Sequence, residues 1–226
     1  MSVHDQSQTD WDVIVVGSGA GAMTSAAIAA DRGLSVLVVE KSDKFGGTSA
    51  ISGGGIWIPN NHYFIAKGGK DSYDKALQYI MSAAGGRADE AKVRAYLDHA
   101  PAMIKYLEDK SRVRYAVAEK YPDYYQHLPG SLPGGRSLDP ELFDTSVLGD
   151  ELESLRRPSP STLLMGKISW TARDAHIAMA RESGWRFKIL WMMLRYKLDF
   201  KWRRKSKFDR RAGLGNSLVC ALRASL

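Results

Sequence analysis

Six residues, Gly17-Ser-Gly19-Ala-Gly21-Ala22, stand between an apolar β-branched run and an alanine-rich one, and they leave this chain few folds to choose from. Asp12-Val-Ile-Val-Val16 has the unbroken apolar character of a buried parallel strand. Met23 to Asp31 has the small side chains of a helix packed closely on a sheet, and Gly33 suits its stop. Ser35-Val-Leu-Val-Val39 reads as a second buried strand, with Glu40 at its carboxyl end. Strand, glycine turn, helix, strand and acid follow one another as in a dinucleotide-binding βαβ unit. Gly17 permits the tight turn, Gly19 lets the backbone approach a pyrophosphate, and Ala22 keeps helix and strand close. The helix amino terminus offers unpaired N–H groups and partial positive charge to phosphates. Glu40 can accept ribose hydroxyls and argues against a 2′-phosphate, hence against NADP. Seventeen residues separate Ala22 from Glu40. A tight turn in an ordinary α/β domain does not explain an acid ending an apolar strand.

The next segment chooses between two dinucleotides. An NAD-type unit would run on to another helix. Here Glu40-Lys41 leads into Gly46-Gly-Thr-Ser-Ala-Ile-Ser-Gly-Gly-Gly55, then Ile56-Trp-Ile-Pro59. Such a loop can lie flat against a second cofactor moiety, with Thr48, Ser49 and Ser52 as donors and glycines giving close backbone access. A flexible linker would not carry Ile51, Ile56, Trp57 and Ile58. The expected FAD-binding residues are Gly17, Ser18, Gly19, Gly21, Ala22, Glu40, Lys41, Gly47, Thr48, Ser49, Ser52, Gly53 and Gly54.

From the strand at Asp12 through GGTSAISGGGIWIPNN, the sequence resembles the amino terminus of the fumarate reductase/succinate dehydrogenase flavoprotein superfamily. Within it, the 3-ketosteroid Δ1-dehydrogenase family is most similar. Asp89–Asp109, Tyr121-Pro-Asp-Tyr-Tyr125, Gly135-Arg-Ser-Leu138, Phe208-Asp-Arg-Arg211 and Gly215–Leu226 resemble its later landmarks. The resemblance implies an α/β, Rossmann-like FAD-binding domain of which this chain is the amino-terminal, incomplete portion. It lays out as a βαβ unit and flavin loop over 11–60, a mainly helical excursion over 61–205 and a return to the FAD domain over 206–226. Gly46–Gly55 holds no histidine for covalent attachment, so the implied FAD is noncovalent. The implied reaction is 1,2-desaturation of a 3-ketosteroid, with hydride passing to flavin N5 and a tyrosine taking a proton. Tyr124 matches an active-site tyrosine of the family; without the resemblance, packing beside a proline turn would be the better reading. The family's other catalytic tyrosines fall beyond Leu226, so the chain alone is expected to be inactive. Alternatives are a Δ4-ketosteroid dehydrogenase, a fumarate-reductase-like enzyme, or a non-catalytic fragment binding nucleotide or a membrane surface.

Charge adds a second question. The net +7 of the 226 residues is uneven: residues 185–211 hold 11 Lys/Arg against 2 Asp, and the remainder is close to neutral. Phe187, Leu190, Trp191, Leu194, Leu198 and Trp202 share one helical face, off which Lys188, Arg195 and Lys197 fall. Leu194–Trp202 also alternates strictly, so a strand stays open. The segment suits a helix packed on further protein, or a membrane surface met through 185–205. Nucleic acid has least support, because no recognised nucleic-acid fold accompanies the charge.

The single cysteine, Cys220, reads as a small buried apolar residue. Five scattered histidines lack metal-ligand spacing. A polar first stretch without an apolar h-region makes a cytoplasmic setting the default. Asp71–Ala84, ended by Gly85-Gly86, reads as a helix. Val93, Tyr96, Leu97, Ala100, Ile104 and Leu107 mark the core stripe of the next, across Pro101. Arg112–Tyr115 is expected as a short strand, and Pro122–Pro160 as loop with a turn at Pro133–Gly135.

Overall fold

A computed structural model describes residues 10–226, so the polar first stretch lies almost wholly outside the described residues. In chain order the elements begin β1 (Val13–Val16), α1 (Ala20–Asp31), β2 (Val36–Val39), α2 (Gly47–Ala50), β3 (Ile56–Trp57), α3 (His62–Ala66), α4 (Tyr73–Ala84) and α5 (Glu90–Lys110). They continue with β4 (Tyr115–Val117), β5 (Ser137–Pro140), β6 (Phe143–Asp144), α6 (Ala172–Met179), α7 (Trp185–Leu198), α8 (Phe200–Arg203), β7 (Arg211–Ala212) and α9 (Leu214–Arg223). The described residues form two compact units: 10–54, 111–113 and 140–226 in one, 55–110 and 114–139 in the other.

In the first unit, β1 and β2 pair in parallel, Val13 opposite Val36 through Val16 opposite Val39. Helix α1 starts at the glycine turn itself, because Gly19 is its N-cap. It packs on both strands and on α9. Helix α9 is the core of this unit: every residue from Gly215 to Leu222 is buried. Burial pushes the Cys220 thiol up to about 12, so this cysteine is inert packing, as its sequence context implies. Of the two strands, β1 leaves Val16 82% exposed, so an apolar sheet face lies open.

The second unit packs α4 against α5. Ala76, Val93 and Leu97 form the contact, with Tyr73, Leu77, Ile80 and Met81 around it. Ser72 caps α4 by accepting the Lys75 amide, and Gly85 ends it in the left-handed conformation. Helix α5 runs uninterrupted across Pro101, and its stripe is buried as expected except at Tyr96, which is partly exposed and uses its hydroxyl on the Trp57 carbonyl.

The core of this unit is organised by a buried cation. Arg136 has a side chain only 1% exposed. Its Nε and Nη2 donate to Asp71 at 3.0 and 2.7 Å, and its Nη1 to Asp123 at 2.8 Å and to the Gly130 carbonyl at 3.0 Å. The guanidinium lies against the rings of Trp57 and Tyr79, 5.4 and 5.8 Å from their centres. Trp57 Nε1 in turn donates to Asp123 at 2.7 Å. Burial alone would raise the Asp71 carboxyl, but bonds from Arg136 and the Asn60 and Ser72 amides outweigh it and hold it low.

Three local expectations are corrected. The strand anticipated at Arg112–Tyr115 forms at Tyr115–Val117 instead. Ser111 Oγ accepts the Val113 amide and Ser225 Oγ accepts that of Arg112, which fixes 111–113 before the strand begins. The stretch anticipated as loop from Pro122 to Pro160 contains β5, β6 and a 3₁₀ segment over Thr145–Ser154. Strand β5 pairs with Ile56–Trp57 and β6 with Arg211–Ala212, partners too remote in sequence for local composition to reveal. The alternation at Leu194–Trp202 is helical, not a strand.

Candidate functional site

The glycine turn of the first unit is built around one hydroxyl. Ser18 Oγ donates to the Glu40 carboxylate and accepts the Gly46 amide at 2.9 Å, while the Ser18 amide donates to Glu40 at 3.0 Å. The Ser42 amide adds a further donor to Glu40 at 3.1 Å. The Ser18 hydroxyl and these amides hold the Glu40 carboxyl below the usual carboxylate range, so it is ionised at neutral pH. The ends of β1 and β2 and the start of the glycine loop thus meet at Ser18.

In front of this hub lies the amino terminus of α1. Its first turn carries no acid and its N-cap, Gly19, supplies no side chain. The Ala20 amide donates to Ser49 Oγ at 3.0 Å. The Gly21 and Ala22 amides have no partner among the described residues. A Cβ built on Gly17 or Gly21 would meet nothing within 4 Å, and one on Gly19 only Ser49 Oγ, at 3.6 Å. Open space therefore faces a row of bare backbone carrying unpaired donors. An anionic diphosphate fits such a place. The ionised Glu40 at the neighbouring strand end fits the ribose that such a group would carry.

The hydroxyl-rich loop departs from a flat lining. It opens with a helical turn, α2, whose Gly47 comes close to Gly19. Ser52 does not keep its hydroxyl for a ligand: it donates to the Ser49 carbonyl at 2.8 Å and accepts the Gly54 amide at 3.0 Å. Gly54 is glycine for a packing reason, since a Cβ there would stand 2.8 Å from the backbone of Leu214 and Gly215. Thr48, Gly53 and Lys41 are exposed, and Ala22 is half-buried. The structure thus gathers Gly17, Ser18, Gly19, Gly21, Glu40, Gly47 and Ser49 about one opening, and gives Ser52 and Gly54 the task of shaping the loop.

Sequence reasoning missed Gly215 and Asn216. Asn216 Nδ2 donates to the Ala50 carbonyl at 2.6 Å and the Gly215 amide donates to the Ser52 carbonyl at 3.0 Å, so α9 holds the loop against α1. A Cβ on Gly215 would fall 2.0 Å from the Ser49 carbonyl. The signal was a Gly-Asn pair opening a helix. Gly215→Ala is expected to push α9 off the loop and cost roughly 1–3 kcal/mol of stability. Urea unfolding of the first unit checks this.

Tyr124 belongs to the second unit. It is 83% exposed and stands edge-on to Tyr121, ring centres 6.2 Å apart. A hydrogen bond to Tyr124 raises the Tyr121 hydroxyl. Packing does not account for a tyrosine this exposed.

Comparison with known proteins gives a consistent picture. A family model described as "FAD binding domain" matches residues 12–201. A 3-oxosteroid 1-dehydrogenase of Comamonas testosteroni is 44% identical over 95% of this chain, which spans 38% of that relative's length. A 4-oxocyclohexanecarboxylate 2-dehydrogenase of Sinomonas cyclohexanicum is 43% identical over 66% of this chain and 26% of its own. Among solved structures, the 3-ketosteroid Δ1-dehydrogenase of Sterolibacterium denitrificans in complex with 1,4-androstadiene-3,17-dione is 53% identical. It superposes with a TM-score of 0.92 over 96% of this chain and 38% of its own.

Proposed function

The chain belongs to the FAD binding domain family, and from that membership we propose that it is the FAD-holding amino-terminal part of a dehydrogenase that desaturates a 3-ketosteroid at its 1,2-bond. The observation that carries the cofactor assignment is the pair of unpartnered amides, Gly21 and Ala22, at the bare glycine turn beside an ionised Glu40. Gly17, Gly19, Gly21 and Ala22 would take the diphosphate, Glu40 the ribose, and Gly47 and Ser49 the side of the cofactor facing the loop. When bound, FAD supplies a two-electron acceptor for a hydride. Ser18 positions Glu40 and Gly46 together, and the exposed Thr48 keeps an uncommitted hydroxyl. No histidine lies within Gly46–Gly55, which supports noncovalent binding.

The substrate class rests on the relatives. Their names share one chemical feature: dehydrogenation begins two carbons from an oxo group, at position 1 for a 3-oxo compound and at position 2 for a 4-oxo compound. A ketone acidifies the C–H beside it, which a tyrosine base can then exploit. Tyr124 is proposed for that neighbourhood, on its match to the family's tyrosine and its exposure. A cytoplasmic setting is proposed with it. No helix among the described residues is long and apolar enough to cross a membrane.

The test has two arms. Purified chain titrated with FAD is expected to quench flavin fluorescence with saturation, without turning over a 3-ketosteroid. A chimera in which this chain replaces the matching part of the Comamonas enzyme is expected to load FAD and reduce an artificial acceptor with a 3-ketosteroid. A folded, FAD-loaded chimera with no turnover would overturn the substrate reading. A chain that takes up no FAD would overturn the cofactor assignment.

A further inference from the structure

Helix α7 is apolar on two opposite sides, and only one of them is covered. Met192 is buried, and Trp185, Ile189 and Tyr196, which lie on its side of the helix at helical spacing, are half-buried. The opposite stripe is Phe187, Leu190, Trp191, Leu194 and Leu198, between 44% and 79% exposed. Phe200, just past the helix end, is 65% exposed. A helix apolar all round is ordinarily enclosed on all sides. Here aliphatic and aromatic side chains lie open along about 20 Å of helix.

The charges around the stripe say what would cover it. On its inner flank, Lys188 and Arg195 are held by Asp174 and Asp209, at 2.5 and 3.8 Å. Asp199 is held by Arg210 at 3.3 Å. Every acid within 185–211 is therefore paired with a cation. The basic residues on the open side are not: Lys197, Lys201, Arg204 and Lys205 are exposed and make no ion pair among the described residues. An exposed apolar and aromatic stripe bordered by unpaired Lys and Arg, with no unpaired acid, complements a surface that is apolar below and anionic above. Trp and Phe suit the boundary between those two layers.

We propose that α7 lies flat in the headgroup region of an anionic lipid bilayer, with Phe187, Leu190, Trp191, Leu194 and Leu198 inserted and Lys197, Lys201, Arg204 and Lys205 among the lipid phosphates. The chain is then peripheral, resting on the membrane without spanning it. This contact stands on α7 and its flanks alone. It holds whether or not the substrate reading does.

Vesicle co-sedimentation of the whole chain tests it, with phosphatidylcholine vesicles beside vesicles of phosphatidylcholine and phosphatidylglycerol. The chain is expected to sediment with the mixed vesicles at low salt, to be released by high salt, and to ignore pure phosphatidylcholine. Lys197→Ala with Lys201→Ala should weaken the partition on the order of tenfold. Trp191→Ser with Leu194→Ser should weaken it on the order of a hundredfold. Both double variants replace exposed side chains, so circular dichroism and FAD uptake are expected to stay as in the parent. Three results would overturn the proposal: a chain left in the supernatant with mixed vesicles at low salt, sedimentation unaltered in Trp191→Ser/Leu194→Ser, or a free chain that is dimeric and becomes monomeric in that variant. The last result would assign the stripe to a second copy of the chain.

Discussion

Arg136→Ala is expected to lower the stability of the second unit by about 3–5 kcal/mol, a large share of the total stability of a small domain. The loss exceeds that of a hydrogen-bond set, because Asp71 and Asp123 stay behind as buried charges with no cation. Lysine does not repair it: the site uses four donors in the planar fork of a guanidinium, which lies against both Trp57 and Tyr79. Acid separates this account from simple cavity formation. In the parent, Asp71 is held below its unfolded value, so its contribution is present above about pH 4 and is lost as pH falls further. Once the cation is gone, burial raises the Asp71 carboxyl instead, and acidification should restore part of the variant's stability. Thermal melts followed by near-ultraviolet circular dichroism across that range would show the two opposite slopes. Parallel slopes would reject the ion-pair account.

Gly19→Ala carries the second large expected effect, on binding and not on folding. Gly19 sits at φ −69 and ψ 170, a conformation open to any residue, and its added Cβ meets only Ser49 Oγ at an ordinary distance of 3.6 Å. Stability should therefore stay within about 1 kcal/mol of the parent. The same methyl group stands on the bare backbone proposed to meet the diphosphate. FAD affinity should fall about 10- to 100-fold, the equivalent of one crowded methyl at a close approach. Gly215→Ala is the counterpart, destabilising the fold through α9. An unchanged FAD dissociation constant in Gly19→Ala would show that the turn is glycine for reasons of chain geometry alone.

Much of this was legible in the residues, for identifiable reasons. Strands β1 and β2 were readable to within a residue because each is a short β-branched run bounded by the glycine turn or by Glu40, but the burial expected of them is not found: Ile14 and Val16 are 60% and 82% exposed. Helices α4 and α5 were readable from apolar spacing and from the stop at Gly85. The diphosphate end of the site was readable because its chemistry resides in backbone, which glycine spacing encodes. Strands β5 and β6 were not, since their partners lie far along the chain and their own composition is that of a loop. Nor was the division of labour within Gly46–Gly55: only the position of α9 tells that Ser52 and Gly54 shape the loop while Ser49 faces α1. The open side of α7 was readable as a stripe, but its exposure was not. The PDYY and GRS segments, read as separate landmarks, are two ends of the Asp123–Arg136 pair.

The bond from Asn216 to the Ala50 carbonyl joins residues 166 apart in the chain. The glycine turn and both parallel strands leave the ribosome early, but the loop that closes over α1 has no brace until α9 emerges. At ordinary elongation rates of about 5–20 residues per second, that interval is roughly 10–30 seconds. Throughout it the nascent chain displays an unbraced, glycine-rich loop and the open apolar face of β1. The cofactor is therefore expected to be captured late in synthesis or after it, and a chaperone that shields that face has a defined window in which to act.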